Sequence, residues 1–149
     1  MVWNDALALC KQSVSVVGER TCSTKLPGFN KLSAMLTQAK KTEERKWLAD
    51  VSAVPLQQSL RNLDAAYQNF FNSHNGKRNG RRMCVPRFKK KTNQQSAEFT
   101  KAAFSVKNTE SVAGERTRST VYLAKIGNLK PIGSRELPYE PSSVTVIKD

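Results

Sequence analysis

Apolar residues recur at helical spacing along the stretch from residue 52 to about residue 72. Their separations of four, three, four and three positions place them on one stripe of a helix. They are Leu56, Leu60, Leu63, Tyr67 and Phe70. Ser52 is a suitable N-cap, and Pro55 fits the first turn, where its missing N–H breaks no intrahelical bond. Because Asn75-Gly76 is a turn dipeptide, we expect the helix to end near Asn72.

The preceding part of the chain also has the pattern of helices. Residues 1 to about 17 predict a first helix whose inward side chains are Val2, Ala6 and Leu9. After a loop at 18–28, Asn30 can cap a second helix. The apolar stripe predicted for this second helix consists of Leu32, Met35, Leu36 and Ala39. A short third helix is expected from Thr42 through Leu48.

Beyond residue 91 the period changes from helical to the short runs that are typical of β-strands. These runs contain Phe99, Phe104 and Val106, then Val121, Leu123 and Ile126, then Val144 and Val146. The polar stretch 107–119 and the proline-containing stretch 136–143 are predicted to be connections. The fold class is therefore α+β: a small, helix-turn-helix-like helical bundle over 1–83, followed by an incomplete antiparallel β-barrel over 84–149.

Positive charge is concentrated between the helices and the strands. The 149-residue chain has a formal net charge of +13, and the stretch 77–91 contains eight Lys or Arg residues and no acid. They are Lys77, Arg78, Arg81, Arg82, Arg87, Lys89, Lys90 and Lys91. This segment is either a solvated basic loop or, as we favour because Pro86 and Phe88 interrupt the charges, a contact with nucleic-acid phosphates that releases counterions.

The residue inventory gives little support to other chemistry. Cys10, Cys22 and Cys84 fit neither a disulfide framework nor a CxxC metal site, and His74 is the single histidine. The chain has no phosphate-binding loop, HExxH or GxSxG motif, and no long apolar segment or leader pattern. We therefore expect no catalytic residues, metal or other cofactor, small-molecule substrate or membrane partner in this sequence, and a cytoplasmic location.

Three blocks in this order carry a family resemblance: WLADVSAVPLQQSLRNLDAAYQNFF, PRFKKK and QSAEFT. Together with the opening VWNDALAL and the closing SVTVIKD, they resemble the amino-terminal region of TnpB proteins. These are transposon-encoded RNA-guided DNA nucleases, also described as transposases, that are related to type V CRISPR effectors. The resemblance implies that the helical part is a recognition lobe and that the β-rich part is a wedge domain.

The resemblance also leads to expectations about what the sequence contains. In the family a β-strand precedes the first helix, and a metal-dependent RuvC-like nuclease domain with three carboxylates follows the wedge. We expect both to be missing here, so that the fragment has no enzymatic activity of its own. Where relatives have a Leu-Pro-Lys-Leu-Gly turn, this chain has Ala124 in place of the proline and keeps Gly127.

The resemblance implies a guide RNA and target DNA as partners, with a short flanking motif of the target read near two positions. Gln57 matches a position that can read a base edge, although an ordinary first-turn helix residue is the structural alternative. Thr100 matches a strand position near the same motif, with a β-branched strand residue as its alternative. Lys77 to Lys91 and the wedge would contact RNA or heteroduplex phosphates.

Two other hypotheses remain open from the sequence. The chain could be a decayed insertion-sequence remnant without a present function. It could instead be an autonomous helix-turn-helix regulator of transposition that binds DNA through the outer face of the helix beginning near residue 53. The side chains available for base reading on that face would be Gln58, Arg61 and Asn62.

Overall fold

The computed structural model describes residues 2–13, 26–108, 119–132 and 139–148. Its contacts divide the chain into two compact units. The first combines Met1–Leu48 with Leu56–Asn93, and the second combines Ala49–Pro55 with Gln94–Asp149. The helices are α1 (Val2–Ser13), α2 (Phe29–Ala39), a 3-10 helix (Glu43–Ala49), α3 (Ala53–His74) and a short 3-10 helix (Lys101–Ala103).

The core of the first unit is formed by the apolar faces of its helices. Its buried residues are Val2, Ala6, Leu7, Cys10, Leu32, Leu36, Leu48, Leu60, Leu63 and Tyr67. The stripe predicted for α3 is confirmed from Leu56, which packs at the edge of this core, to Tyr67, whereas Phe70 is only partly buried. Leu9, predicted to point inward in α1, is only partly buried, and Leu7 and Cys10 fill the interior of this helix instead. The predicted end of α1 at residues 14–17 lies outside the described residues.

The start of α2 differs from the prediction. The helix begins at Phe29, and its N-cap is Gly28 in an extended conformation, without a side-chain capping bond. The amide N–H groups of Lys31 and Leu32 donate to the Gly28 carbonyl at 3.0 and 3.2 Å. Asn30 is therefore an exposed residue inside the first turn and not the cap, because the backbone turns into the helix two residues earlier.

The end of α3 agrees with the turn predicted from Asn75-Gly76, although the helix continues two residues past Asn72. Gly76 has a positive φ of 71°, a left-handed conformation that glycine adopts at little cost. The Lys77 amide donates to the Asn72 carbonyl at 2.9 Å, which satisfies one of the last carbonyls of the helix. The helix therefore stops at His74 through a glycine-containing C-terminal turn.

Two antiparallel sheets make up the second unit. In the first sheet, β1 (Gln95–Thr100) pairs with β5 (Ser143–Lys148). In the second, the order is β2 (Phe104–Asn108), β3 (Ser119–Leu123) and β4 (Gly127–Leu129). The described strands do not close into a barrel, in agreement with the predicted incomplete barrel and the α+β class.

A small apolar cluster holds the second unit together. Phe99, Ala103, Phe104 and Leu123 are buried, and Val54 at the start of α3 packs against them. The predicted strands are confirmed except at Ile126, which lies in the turn between β3 and β4 and is exposed. Lys107 and Asn108, predicted as part of a loop, extend β2, while residues 109–118 lie outside the described residues.

The two-unit grouping differs from the predicted division at residue 84. Residues 84–93 group with the helices and residues 49–55 group with the strands. The physical reason for the first difference is that side chains of α1 hydrogen-bond to the backbone of residues 87 and 89. The assignment of the two units as recognition lobe and wedge stays a prediction.

The turn between β3 and β4 contains a strained residue that offers a stability test. Lys125 has a φ of 70°, which costs an L-residue with a Cβ roughly 1–2 kcal/mol, whereas glycine adopts it freely. We expect Lys125→Gly to raise the free energy of unfolding by about 0.5–1 kcal/mol, measured by urea denaturation, after allowance for glycine's entropy.

The matched comparison at the neighbouring position is Ala124→Pro. The Ala124 amide donates to the Ala103 carbonyl at 2.9 Å, so proline would remove that bond and destabilise the chain by about 1–3 kcal/mol. An increase in stability with proline, or no gain with Lys125→Gly, would contradict this account of the turn.

Candidate nucleic-acid interface

The basic segment, residues 77–91, runs without a helix or strand from the end of α3. Within it, Pro86 is buried and every other residue is exposed. Because the cationic side chains are solvated, the segment avoids the large desolvation cost of burying charge. A segment this rich in like charges nevertheless repels itself, so its path depends on contacts with the helices of the first unit.

The first part of the segment is anchored to the last turn of α3. The Met83 amide donates to the Ser73 hydroxyl oxygen at 3.0 Å. Arg82 Nη2 lies 3.1 Å from His74 Nδ1. Since the guanidinium can only donate, the ring nitrogen accepts this bond. The single histidine of the chain therefore positions an arginine.

The second part is anchored to the first turn of α1 through backbone atoms. Trp3 Nε1 donates to the Arg87 carbonyl at 3.0 Å. The side-chain amide of Asn4 makes two bonds to one residue: Nδ2 donates to the Lys89 carbonyl at 2.9 Å, and Oδ1 accepts the Lys89 amide at 2.9 Å. These contacts fix the path of the chain without engaging a guanidinium or ammonium group.

Two cation–π contacts complete the same surface. Lys89 Nζ lies 4.5 Å from the centre of the Trp3 ring, and Lys11 Nζ lies 4.4 Å from the centre of the Phe88 ring. At exposed sites such contacts each contribute about 0.5–1 kcal/mol. Lys11, on α1, thereby adds a further cation to the surface of the basic segment.

Eight of the nine basic residues predicted to contact nucleic acid belong to this one exposed segment of the first unit, and the ninth, Arg61, lies on α3. The helix α1 binds the backbone of the segment, and the charged groups remain at the surface. This arrangement suits a polyanion whose charges are spread along a chain, because each exposed cation can neutralise one phosphate.

Comparison with known proteins identifies relatives that match most of this chain. A predicted RNA-guided DNA endonuclease of Streptomyces pristinaespiralis is 43% identical over 121 residues, which cover 78% of this chain and 26% of that protein. A predicted RNA-guided DNA endonuclease of Escherichia coli K12, InsQ, is 30% identical over 118 residues, or 79% of this chain and 25% of that protein. The chain is homologous to the TnpB family. It spans about a quarter of the length of these relatives. No protein-family model matches it.

The predicted nucleic-acid-binding residues outside the basic segment lie in different surroundings. Gln57 is exposed near the start of α3. Arg61, also exposed on α3, has its guanidinium 5.3 Å from the centre of the Phe29 ring. Thr100 is partly buried at the last position of β1, opposite Ser143, and belongs to the second unit. The TnpB resemblance alone supports a role of Gln57 and Thr100 in reading a flanking motif.

The outer face of α3 provides little support for the helix-turn-helix alternative. Gln58 Nε2 donates to Asn62 Oδ1 at 3.3 Å, and Arg61 packs over Phe29. The three side chains proposed to read bases are therefore engaged within the protein. Reading a duplex would require these contacts to be exchanged for contacts with bases.

No group of three or more His, Cys, Asp or Glu in the described part of the chain could hold a metal ion. Burial, and secondarily the charge of Asp64, raises the pKa of the Cys10 thiol, which disfavours the thiolate. None of the described helices is long and apolar enough to cross a membrane.

The residues that position the basic segment are not marked by any of the motifs found in the sequence. Trp3, Asn4, Lys11 and Ser73 all contact it, yet the first two are separated from their partners by 84 and 85 positions. One signal was present: VWND places a tryptophan and an asparagine beside the apolar stripe of α1. In this TnpB homologue those two residues form the support for residues 87 and 89.

Replacing the Asn4 side chain tests that support without altering the net charge. In Asn4→Ala the Lys89 amide and carbonyl lose their partners, so the segment samples more conformations. We expect the affinity for single-stranded RNA to fall about tenfold. This corresponds to about 1–1.5 kcal/mol of binding free energy that is lost because the segment must be ordered on binding. The matched control is Asn30→Ala, which removes an exposed asparagine that caps nothing. Equal affinities of the two variants would contradict the positioning role.

Proposed function

We propose that the basic segment binds the sugar–phosphate backbone of a guide RNA and of its target DNA in a TnpB-like, RNA-guided system. The observation that carries this proposal is the attachment of residues 87 and 89 to α1 through backbone atoms, with their charged groups exposed. In RNA-guided recognition, base pairing reads the sequence and the protein holds backbone shape. A surface of positioned cations is suited to that task.

The roles of the two units follow from the TnpB relationship. We infer that the helical unit acts as a recognition lobe and that the β-rich unit acts as a wedge domain. Gln57 and Thr100 are the residues we assign to the vicinity of the flanking motif on the target DNA. Arg61 is assigned to a contact with nucleic acid from α3. DNA cleavage is the activity named for the relatives, and we place it outside the residues described here. The compartment that fits these partners is the cytoplasm.

Lysine protection tests the proposal with residue resolution. The purified chain is acetylated with an amine-reactive reagent, with and without a single-stranded RNA about 20 nucleotides long, the length of a guide–target heteroduplex. Mass spectrometry then measures the acetylation of each lysine. We expect RNA to protect Lys77, Lys89, Lys90 and Lys91.

The internal control is a set of exposed lysines elsewhere in the first unit. Lys31, Lys41 and Lys46 are exposed on or beside the helices and should be acetylated to the same extent with and without RNA. Uniform protection of both sets would indicate non-specific coating of a basic protein. Protection of the control set alone would reject the basic segment as the binding surface, and no protection at all would support the decayed-remnant hypothesis.

A further inference from the structure

Phe88 is an exposed aromatic residue in the most densely charged part of the basic segment. Its exposed fraction is 48%, and its neighbours in sequence are Arg87 and Lys89. A single exposed apolar residue is common on protein surfaces and needs no explanation by itself. The surroundings of this ring, however, hold it in place in a way that an incidental surface residue does not require.

The backbone is fixed on both sides of Phe88. Trp3 binds the carbonyl of the preceding residue, and Asn4 binds both the amide and the carbonyl of the following residue. Lys11 covers one face of the ring, with Nζ 4.4 Å from its centre. A cation from α1 therefore lies against one face of the ring, while about half of the residue is exposed. The fixed backbone and this cation together restrict how the ring is presented.

A nucleobase is the chemical group that matches a flat aromatic face surrounded by cations. Base–aromatic stacking tolerates any sequence because every base has a π-face, and positive groups beside the ring can hold the adjoining phosphates. A base inside a duplex is already stacked on its neighbours, so only an unpaired or splayed base can use such a face.

We propose that Phe88 is a stacking platform for an unpaired nucleobase of RNA or single-stranded DNA, next to the phosphates held by the basic segment. The proposal rests on the proposed function and adds a ligand class to it: single-stranded rather than fully paired nucleic acid. Lys11 and Asn4 act on this site as positioning residues, because they hold the ring and its backbone and need not touch the base.

The test compares an intact single strand with two probes that offer phosphates but fewer or no unpaired bases. They are a mixed-sequence single-stranded RNA, the same oligomer with abasic positions, and the fully paired RNA duplex; a single-stranded DNA of the same sequence distinguishes the two possible sources of the base. Affinities are measured for the full chain and for Phe88→Leu. We expect the variant to bind intact single strands about tenfold more weakly, within the range found for loss of one stacked base. Its affinity for the abasic strand and the duplex should be unchanged.

Two further variants make the result interpretable. Phe88→Trp keeps an aromatic face and should retain the affinity for intact single strands. Phe71→Leu is the matched control: Phe71 is similarly exposed at 40%, but its ring packs against Phe70 and Tyr67 on α3 at centroid distances of 5.2 and 6.3 Å, outside the basic segment. This control should bind all probes like the parent chain.

The outcomes separate the platform from the phosphate contacts. An equal loss for Phe88→Leu on all probes, or no loss on any, would overturn the stacking proposal while leaving phosphate binding intact. A parent chain whose affinity for every probe is independent of salt would instead refute the proposed function. A loss of affinity of Phe88→Leu for single-stranded DNA but not for RNA would assign the platform to the target strand. A loss of affinity for RNA but not for DNA would assign it to the guide.

Discussion

Replacing Arg81, Arg87 and Lys90 together by glutamine is expected to weaken RNA binding about a hundredfold at about 0.1 M salt. These three side chains are exposed, and their substitution leaves the contacts of Trp3, Asn4 and Ser73 with the segment unchanged. Each lost phosphate contact on a single strand lowers the slope of log affinity against log salt by about 0.7. The variant should therefore also show a salt dependence shallower by about two. The measurement is fluorescence anisotropy over a salt series.

The matched control removes the same charge from another part of the first unit. Lys31, Lys41 and Lys46, replaced together by glutamine, reduce the net charge by three in the same way and are also exposed. If binding depended only on overall charge, both triple variants would lose the same affinity. We expect the control to lose severalfold at most, because long-range attraction between exposed charges is screened within about 10 Å at 0.1 M salt. Equal losses would contradict a localised phosphate-binding surface.

Leu60→Ala is expected to lower the free energy of unfolding by about 3 kcal/mol. Leu60 has no exposed surface and lies in the core that joins α3 to α1 and α2. Removing its side chain loses both the transfer free energy of the buried groups and the packing around the cavity that remains. Urea denaturation followed by circular dichroism measures the change. The same loss should increase the population of molecules in which α1 no longer supports the basic segment.

Leu56→Ala provides the control on the same helix with the same chemical change. Leu56 is only partly buried at the edge of the core, so its side chain contributes less buried apolar surface to the folded state than the side chain of Leu60 does. We expect this variant to lose about half as much stability as Leu60→Ala. A larger loss at Leu56 than at Leu60 would show that the α3 stripe is not buried as described.

The helices and strands could be predicted from sequence because they depend on local periodicity and on turn residues. The stripe from Leu56 to Tyr67 marks the face of α3 that packs in the core, and Asn75-Gly76 marks the end of the helix. The cap of α2 was mispredicted because an asparagine near a helix start is a strong signal, while an extended glycine two residues earlier is a weak one. Ile126 was assigned to a strand by its branched side chain, yet the left-handed Lys125 turns the chain there.

The organisation of the candidate site could be predicted only in part. Charge density identified the basic segment, since eight cations in fifteen residues are visible in any reading of the sequence. Its attachment to α1 depends on hydrogen bonds between residues 84 and 85 positions apart, which no local pattern encodes. For the same reason the two-unit grouping assigns residues 84–93 to the helices rather than to the strands.

The salt dependence of RNA binding by the unmodified chain tests the central claim most directly. Affinity for a single-stranded RNA about 20 nucleotides long is measured between about 50 and 200 mM monovalent salt. If about six of the positioned cations neutralise phosphates, log affinity should fall linearly with log salt with a slope of about −4. An affinity that stays constant across this range would contradict the conclusion that the basic segment is a phosphate-binding surface.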